Sequence, residues 1–201
     1  ARRGYSPIGT ENFASLAGEK KPNDLVEKIR FGPTIDADTD DAYYKTKESR
    51  IHFAPNEWGN QPQVFRDTIT SYYAAMESLS LVLLEIIAVG LHMNPSYFTS
   101  CMDKHTSILS CNYYPPSTGR TDRLRIAEHT DVSMITIVSQ STGSVGGGLE
   151  ICDHEGNWSA VPYIPGALVV NIGDCLCDWS GGRLMSTRHR VSFPPHPTES
   201  S

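Results

Sequence analysis

Apolar residues between Pro62 and Leu91 recur at three- and four-residue steps: Phe65, Ile69, Tyr72, Tyr73, Met76, Leu79, Leu83, Ile86, Ile87 and Leu91. That is the period of a helix burying one face, so the spacing predicts a long core-facing helix over 62–91. Gly90 and "NPS" at 94–96 predict its end and the start of another helix, with Asn94 as N-cap and Pro95 in the first helical position. Beyond His105 the pattern changes to short β-type runs separated by turn residues: "SILSCNYY", "LRIAEH", "SMITIVSQ", "GGLEIC", "WSAVPY", "ALVVNIG" and "STRHRVSF". Such spacing predicts an antiparallel barrel or sandwich. The first sixty residues are punctuated by Gly4, Pro7, Gly9, Pro22, Gly32 and Pro33 and hold the acidic run "DADTDD" at 36–41, which reads as irregular cover on the core. Helices followed by strands predict a mainly β, α+β arrangement with the long helix packed outside a β core at about 106–194.

Composition narrows this picture. A chain of 201 residues with 39% hydrophobic content is expected to form a single domain, 1–201, with a sizeable core. The formal charge of −6 comes from mixed charges without a long basic run, which argues against nucleic acid or an acidic membrane as partner and favours a small-molecule substrate. The longest apolar stretch, "SLSLVLLEIIAVGLHM", is interrupted by Glu85 and is short for a bilayer span. No apolar signal region follows "ARRGYSPIGTENF". Five irregularly spaced cysteines read as reduced thiols in a soluble, cytoplasmic chain. Cys175 and Cys177 read as buried small hydrophobes rather than soft metal ligands.

The candidate chemistry begins in "AEHTDVSMITIV", residues 127–138, where an imidazole and a carboxylate stand two apart. A strand turns such positions to one face, so His129 and Asp131 can act as a pair, although an isolated His-x-Asp reads more readily as a solvated strand end, and the rest of the chain has to decide. His189 lies in the last predicted strand, and in a barrel distant strands converge, making a two-histidine, one-carboxylate site. Three ligands on one octahedral face leave positions open for substrate and oxygen, which suits non-haem iron(II). Zinc takes the same ligand types in tetrahedral geometry, so residue types alone leave the metal open. Arg125 shares the parity of His129 and is a candidate to hold an acidic substrate, a solvated strand charge being the alternative. Tyr5, Ser6 and Phe13 are either mouth-lining or packing residues. His52, His92, His105, His154 and His196 are read as structural or surface residues.

The stretches "NYYPP" (112–116), "EHTD" (128–131), "GGLEI" (147–151), "NWSAVPYIPGALVVNIGD" (157–174) and "STRHRVSF" (186–193) occur in the order and approximate spacing of one family. The chain resembles the isopenicillin N synthase-like branch of the iron(II)/2-oxoglutarate-dependent dioxygenases, from "GYSPIGTEN" to "HRVSF". The resemblance implies a double-stranded β-helix, the cupin-like jelly roll, with iron at its open end. By motif, His129, Asp131 and His189 correspond to the catalytic metal triad, and Asn112 and Tyr114 to positions that reach toward the co-substrate. Asn171, Gly173 and Asp174 of "NIGD" correspond to a structural turn between strands. The implied cofactors are Fe(II), 2-oxoglutarate as co-substrate, O2, and ascorbate as an accessory. The implied reaction is hydroxylation, desaturation or ring formation on a small organic substrate, coupled to decarboxylation of 2-oxoglutarate to succinate.

One element of the family pattern is missing. There an Arg-x-Ser pair follows the second iron histidine by about ten residues, and its guanidinium clamps the distal carboxylate of 2-oxoglutarate as a planar fork of donors. Here the chain after His189 reads "RVSFPPHPTESS". Arg190 points away from the face of His189 and is expected in packing or a surface ion pair. Arg183 and Arg188 are candidate anion contacts, Arg188 also being on the wrong face. The expectation is a chain trimmed at both ends; the alternatives are an iron oxidase that does not use 2-oxoglutarate, or a catalytically silent metal-binding domain without the clamp. Substrate identity and oligomeric state are left open.

Overall fold

A computed structural model describes residues 3–18, 20–35, 39–115, 124–141 and 148–193. Pro116, Gly147, His196 and the segment after Phe193 lie outside them, as do three residues of the acidic run. The chain forms two units, Ala1–Ser6 with Lys28–Asn112, and Pro7–Glu27 with Tyr113–Ser201.

In the first unit, sequence expected to be irregular instead pairs. β1 (Gly4–Ser6) runs antiparallel to β2 (Glu27–Phe31), with Tyr5 opposite Ile29, and β2 is central in the order β1-β2-β3, where β3 is Leu109–Tyr113. Phe31 is buried and stacks on Trp58 at 4.8 Å. The Asn56 carboxamide accepts from Gly32 N–H at 2.8 Å and donates to the Gly32 carbonyl at 3.0 Å, closing the chain that leaves β2. A short helix, α1 (Lys47–His52), starts where the Thr46 hydroxyl accepts the Ser49 N–H at 3.2 Å.

The predicted long helix forms as α2 (Gln63–Gly90), with Pro62 at its N-cap. Its fully buried stripe is narrow, Leu84 and Ala88 four apart, while Val82, Ile86 and Val89 are exposed. Among the described residues, α2 alone is long and apolar enough to cross a bilayer, with a mean hydropathy of 1.6. Its polar groups nonetheless engage protein: the Tyr73 hydroxyl donates to the Ser107 carbonyl at 3.0 Å, and Glu77 meets His105 at 2.8 Å. Gly90 remains helical, and the chain turns at His92, whose φ of 60° lies in the left-handed region. The second predicted helix does not form. Asn94 bonds the Ser96 N–H at 3.0 Å, a turn two residues long, and only a 3-10 turn at Thr99–Cys101 follows it.

The second unit holds the remaining strands, each where the alternating pattern places one. β4 (Ile126–His129), β6 (Leu149–Cys152), β7 (Trp158–Ala160) and β9 (His189–Val191) form a sheet in the order β4-β9-β6-β7. β5 (Ile135–Val138) and β8 (Val169–Ile172) form an antiparallel pair in which Thr136 stands opposite Asn171. Val26, Ile126 and Val191 make a core cluster against which Phe13 and Tyr114 pack. "NIGD" was expected to serve a turn between strands, but Gly173 leads into a helix, α3 (Asp174–Trp179), before β9 begins. Its buried residue is Leu176, while Cys175 and Cys177 are only half-buried, because a helical period sends them to its flanks.

Asp24, 2% exposed, ties segment 7–27 to β4. Its two carboxylate oxygens accept the Ala127 N–H at 3.0 Å and the Phe13 N–H at 2.7 Å. Each oxygen satisfies a backbone donor, and the bond to Phe13 fixes the aromatic ring that borders the site described next.

Candidate metal centre

β4 and β9 are hydrogen-bonded neighbours, and His129 and His189 are direct cross-strand partners with ring centroids 4.3 Å apart. The two histidines therefore meet through pairing of adjacent strands. Asp131 arrives differently. β4 ends at His129, so the carboxylate sits in the loop 130–134 and strand parity is not what aligns it. Its Oδ1 lies 3.8 Å from each of the His129 and His189 Nε2 atoms, and the donor atoms of the three residues all lie within 4.8 Å of one another. Two atoms bound to one ion at about 2.0–2.2 Å are separated by no more than about 4.4 Å, so a single ion spans each 3.8 Å pair.

The hydrogen bonds behind these atoms set their chemistry. His129 Nδ1 lies 2.8 Å from the Ala127 carbonyl, and His189 Nδ1 lies 3.0 Å from the Thr187 carbonyl, the same two-residue step back in both strands. A carbonyl only accepts, so each Nδ1 carries a proton, and the neutral form of each ring is the tautomer whose Nε2 faces Asp131. This is the tautomer a metal-binding imidazole needs. Phe13 packs on the His129 ring at 4.5 Å. The histidine side chains are 8% and 14% exposed against 20% for Asp131, so the donor set is shielded but reachable.

Asp131 Oδ2 accepts from Asn171 Nδ2 at 2.9 Å, leaving Oδ1 to the imidazole side. Burial pushes the carboxyl pKa up, but hydrogen bonds from Thr136 and Asn171 and the neighbouring His189 and His129 outweigh it, and the net shift is downward. The carboxylate is thus held ionised. The loop itself is clamped by the residues after Asn171. Gly173 N–H donates to the Met134 carbonyl at 3.0 Å, Asp174 N–H to the Asp131 carbonyl at 2.7 Å, and the Thr130 hydroxyl to Asp174 Oδ2 at 3.1 Å. A Cβ on Gly173 would overlap the Ser133 carbonyl and stand 2.9 Å from the Asp131 carbonyl oxygen, so only glycine permits this approach.

Two imidazoles and one carboxylate, the three metal-ligating side chains that cluster here among the described residues, fit a divalent iron that keeps adjacent positions open. The other sequence candidates divide. Tyr114 lies in the second unit, against the core cluster and under the Arg125 guanidinium at 5.6 Å. Asn112 is an exposed residue of the first unit, its Oδ1 accepting from the Ser110 hydroxyl at 2.7 Å. Tyr5 is exposed on β1, and the Ser6 hydroxyl accepts from Arg30 at 3.2 Å. Arg190 is in the expected ion pair, 2.6 Å from Glu150, with its guanidinium over the Trp158 ring at 4.1 Å. Arg188 pairs with Glu128 at 2.9 Å. Asn171, Thr136 and Asp24 were not singled out by sequence as site residues; the one signal for Asn171 was a carboxamide inside the apolar run "ALVVNIG".

Residues 105–200 match the model of the 2OG-Fe(II) oxygenase superfamily. The chain belongs to that superfamily. It is 34% identical over 195 residues to a validamycin A dioxygenase of Streptomyces hygroscopicus subsp. limoneus, covering 95% of this chain and 51% of the relative. It is 33% identical over 200 residues to a proline hydroxylase of Petromyces alliaceus, covering 96% and 57%. Among solved structures, a 2OG-Fe(II) oxygenase family protein of Caulobacter crescentus superposes with a TM-score of 0.77 at 30% identity, covering 96% of this chain and 58% of the other. A full-length Neurospora crassa protein, in complex with alpha-KG and thymine, superposes with a TM-score of 0.75 at 27% identity, covering 96% and 57%. The chain thus spans about half the length of the relatives it matches. The 2OG-Fe(II) oxygenase fold, a double-stranded β-helix, accounts for the convergence of β4, β9 and the 130–134 loop.

Proposed function

We propose that this chain carries the iron centre of a 2-oxoglutarate-dependent oxygenase that oxidises a small organic substrate. His129, Asp131 and His189 would hold the iron, and Tyr114, in the same unit, would serve the co-substrate. The observation that carries this reading is the pair of histidine Nε2 atoms, each 3.8 Å from the same oxygen of an ionised carboxylate. When bound, iron(II) supplies the redox chemistry that couples splitting of 2-oxoglutarate by O2 to oxidation of a C–H bond. In a hydroxylation, 2-oxoglutarate, O2 and R–H become succinate, CO2 and R–OH.

The chain's own residues do the positioning. The carbonyls of Ala127 and Thr187 hold the two imidazoles in one tautomer. Asn171 and Thr136 keep Asp131 charged and turned one way. Phe13 closes one side of the His129 ring against bulk water.

Anaerobic addition of iron(II) and 2-oxoglutarate to the protein tests the reading. The expected result is a weak visible charge-transfer band that His129→Ala abolishes, and succinate formation on admitting air. Oxygen uptake with substrate and without any 2-oxo acid would point to an oxidase instead. Metal uptake with neither band nor oxygen uptake would identify a silent binding domain.

A further inference from the structure

The Arg125 side chain lies between two aromatic faces, its guanidinium carbon 5.0 Å from the centre of the Phe193 ring and 5.6 Å from that of Tyr114. Its main chain is locked from both sides. The N–H donates to the Val191 carbonyl at 2.7 Å, and the carbonyl accepts the Leu25 N–H at 2.8 Å. Arg125 therefore stands immediately before β4, four residues ahead of His129, and is bonded to β9 at the residue two after His189.

Its polar groups are poorly satisfied by contrast. One Nη reaches the Pro115 carbonyl at 3.5 Å, the limit of a hydrogen bond, and Nε is buried with no partner among the described residues. Asp24, Glu128 and Glu150 are committed elsewhere, Asp24 to two backbone N–H groups, Glu128 to Arg188 and Glu150 to Arg190. Burial opposes the guanidinium charge and lowers its pKa, which the Tyr114 side chain partly offsets. Leaving a buried Nε donor without an acceptor is costly, and a half-buried planar fork held between rings is suited to a carboxylate.

We propose that Arg125, walled by Tyr114 and Phe193, is the seat of a carboxylate on a small organic acid bound in the unit that holds the triad. The acid is either the 2-oxo diacid through its distal carboxylate or an acidic primary substrate. The inference rests on the oxygenase reading only for what the acid is doing there.

Binding of glutarate and, separately, of benzoate to the wild-type chain and to Arg125→Gln, Arg125→Lys and Arg188→Gln tests it by calorimetry. Cobalt(II) affinity is followed in parallel by visible absorption. Arg125→Gln should weaken one of the two acids at least tenfold with cobalt affinity within twofold of wild type, while Arg188→Gln leaves both acids unchanged. Loss confined to glutarate assigns the seat to the diacid, and loss confined to benzoate assigns it to an acidic substrate. Arg125→Lys keeps the charge and stem but not the fork, and should bind at least threefold more weakly than wild type; it decides the matter if Arg125→Gln does not fold. Unchanged affinities in the variants, or a wild-type chain that binds neither acid, overturn the proposal. Failure of wild-type cobalt binding with the Arg125-dependent acid binding intact would overturn the metal reading and leave the carboxylate seat standing.

Discussion

Asp131 illustrates how much of the site depends on single side chains outside the triad. Its two oxygens have separate tasks: Oδ2 is held by Asn171, and Oδ1 faces the imidazoles. Asn171→Leu keeps the side-chain volume but removes the donor, freeing the carboxylate to rotate and raising its pKa. Metal affinity should fall about 10–100-fold, the usual effect of losing such a supporting bond, as measured by cobalt(II) titration. Asn171→Asp should do worse, placing a second carboxylate against the first. An unchanged affinity in Asn171→Leu would show that Thr136 and the loop clamp suffice. The triad was legible in the sequence because its residue types are chemically rare together and sit in ordered motifs. Asn171 was not, since its meaning depends on standing opposite Thr136, and that register exists only once β5 and β8 pair.

Secondary elements show the same division between local and non-local causes. α2 and seven strands could be read from periodicity, because each writes its buried face into consecutive residues. β1 and β2 could not. β1 is three residues long, and β2 is sandwiched between β1 and β3, a strand some eighty residues later in the chain, so no local pattern announces them. The polar contacts of α2 were equally hidden, and one of them has a measurable signature. Tyr73 is pushed up to about 12, first by burial and then by the Glu77 carboxylate, against an opposing contribution from Arg3. In the unfolded chain a tyrosine titrates near 10. The folded state binds this proton more tightly, so its contribution is full below about pH 10 and is lost as pH rises toward 12. Urea unfolding followed by helical circular dichroism should therefore show wild-type stability declining over that window more steeply than in Tyr73→Phe. Parallel declines in the two proteins would refute the assignment.

At the scale of the whole chain, the metal site belongs to one of the two units. All three ligands, together with Asn171, Thr136 and Asp24, lie in the unit of Pro7–Glu27 and Tyr113–Ser201, and none in the other. An ion that binds only the folded site stabilises by mass action, about 2.7 kcal/mol at a hundredfold excess over its dissociation constant. Cobalt(II) should consequently raise the melting temperature of the wild-type chain, an effect removed by His189→Ala. The rise should shrink as pH is lowered, because the imidazole nitrogens must be unprotonated to bind the ion. Hydrogen exchange then asks how far the stabilisation spreads. If the units unfold separately, protection grows in β4, β5, β8 and β9 and not in β1, β2 or α2. If it grows equally in both, they unfold as one cooperative body, and ligand binding at the triad is felt along the whole of α2. Absence of any metal-dependent protection at β4 and β9 would remove the triad from consideration as a metal centre.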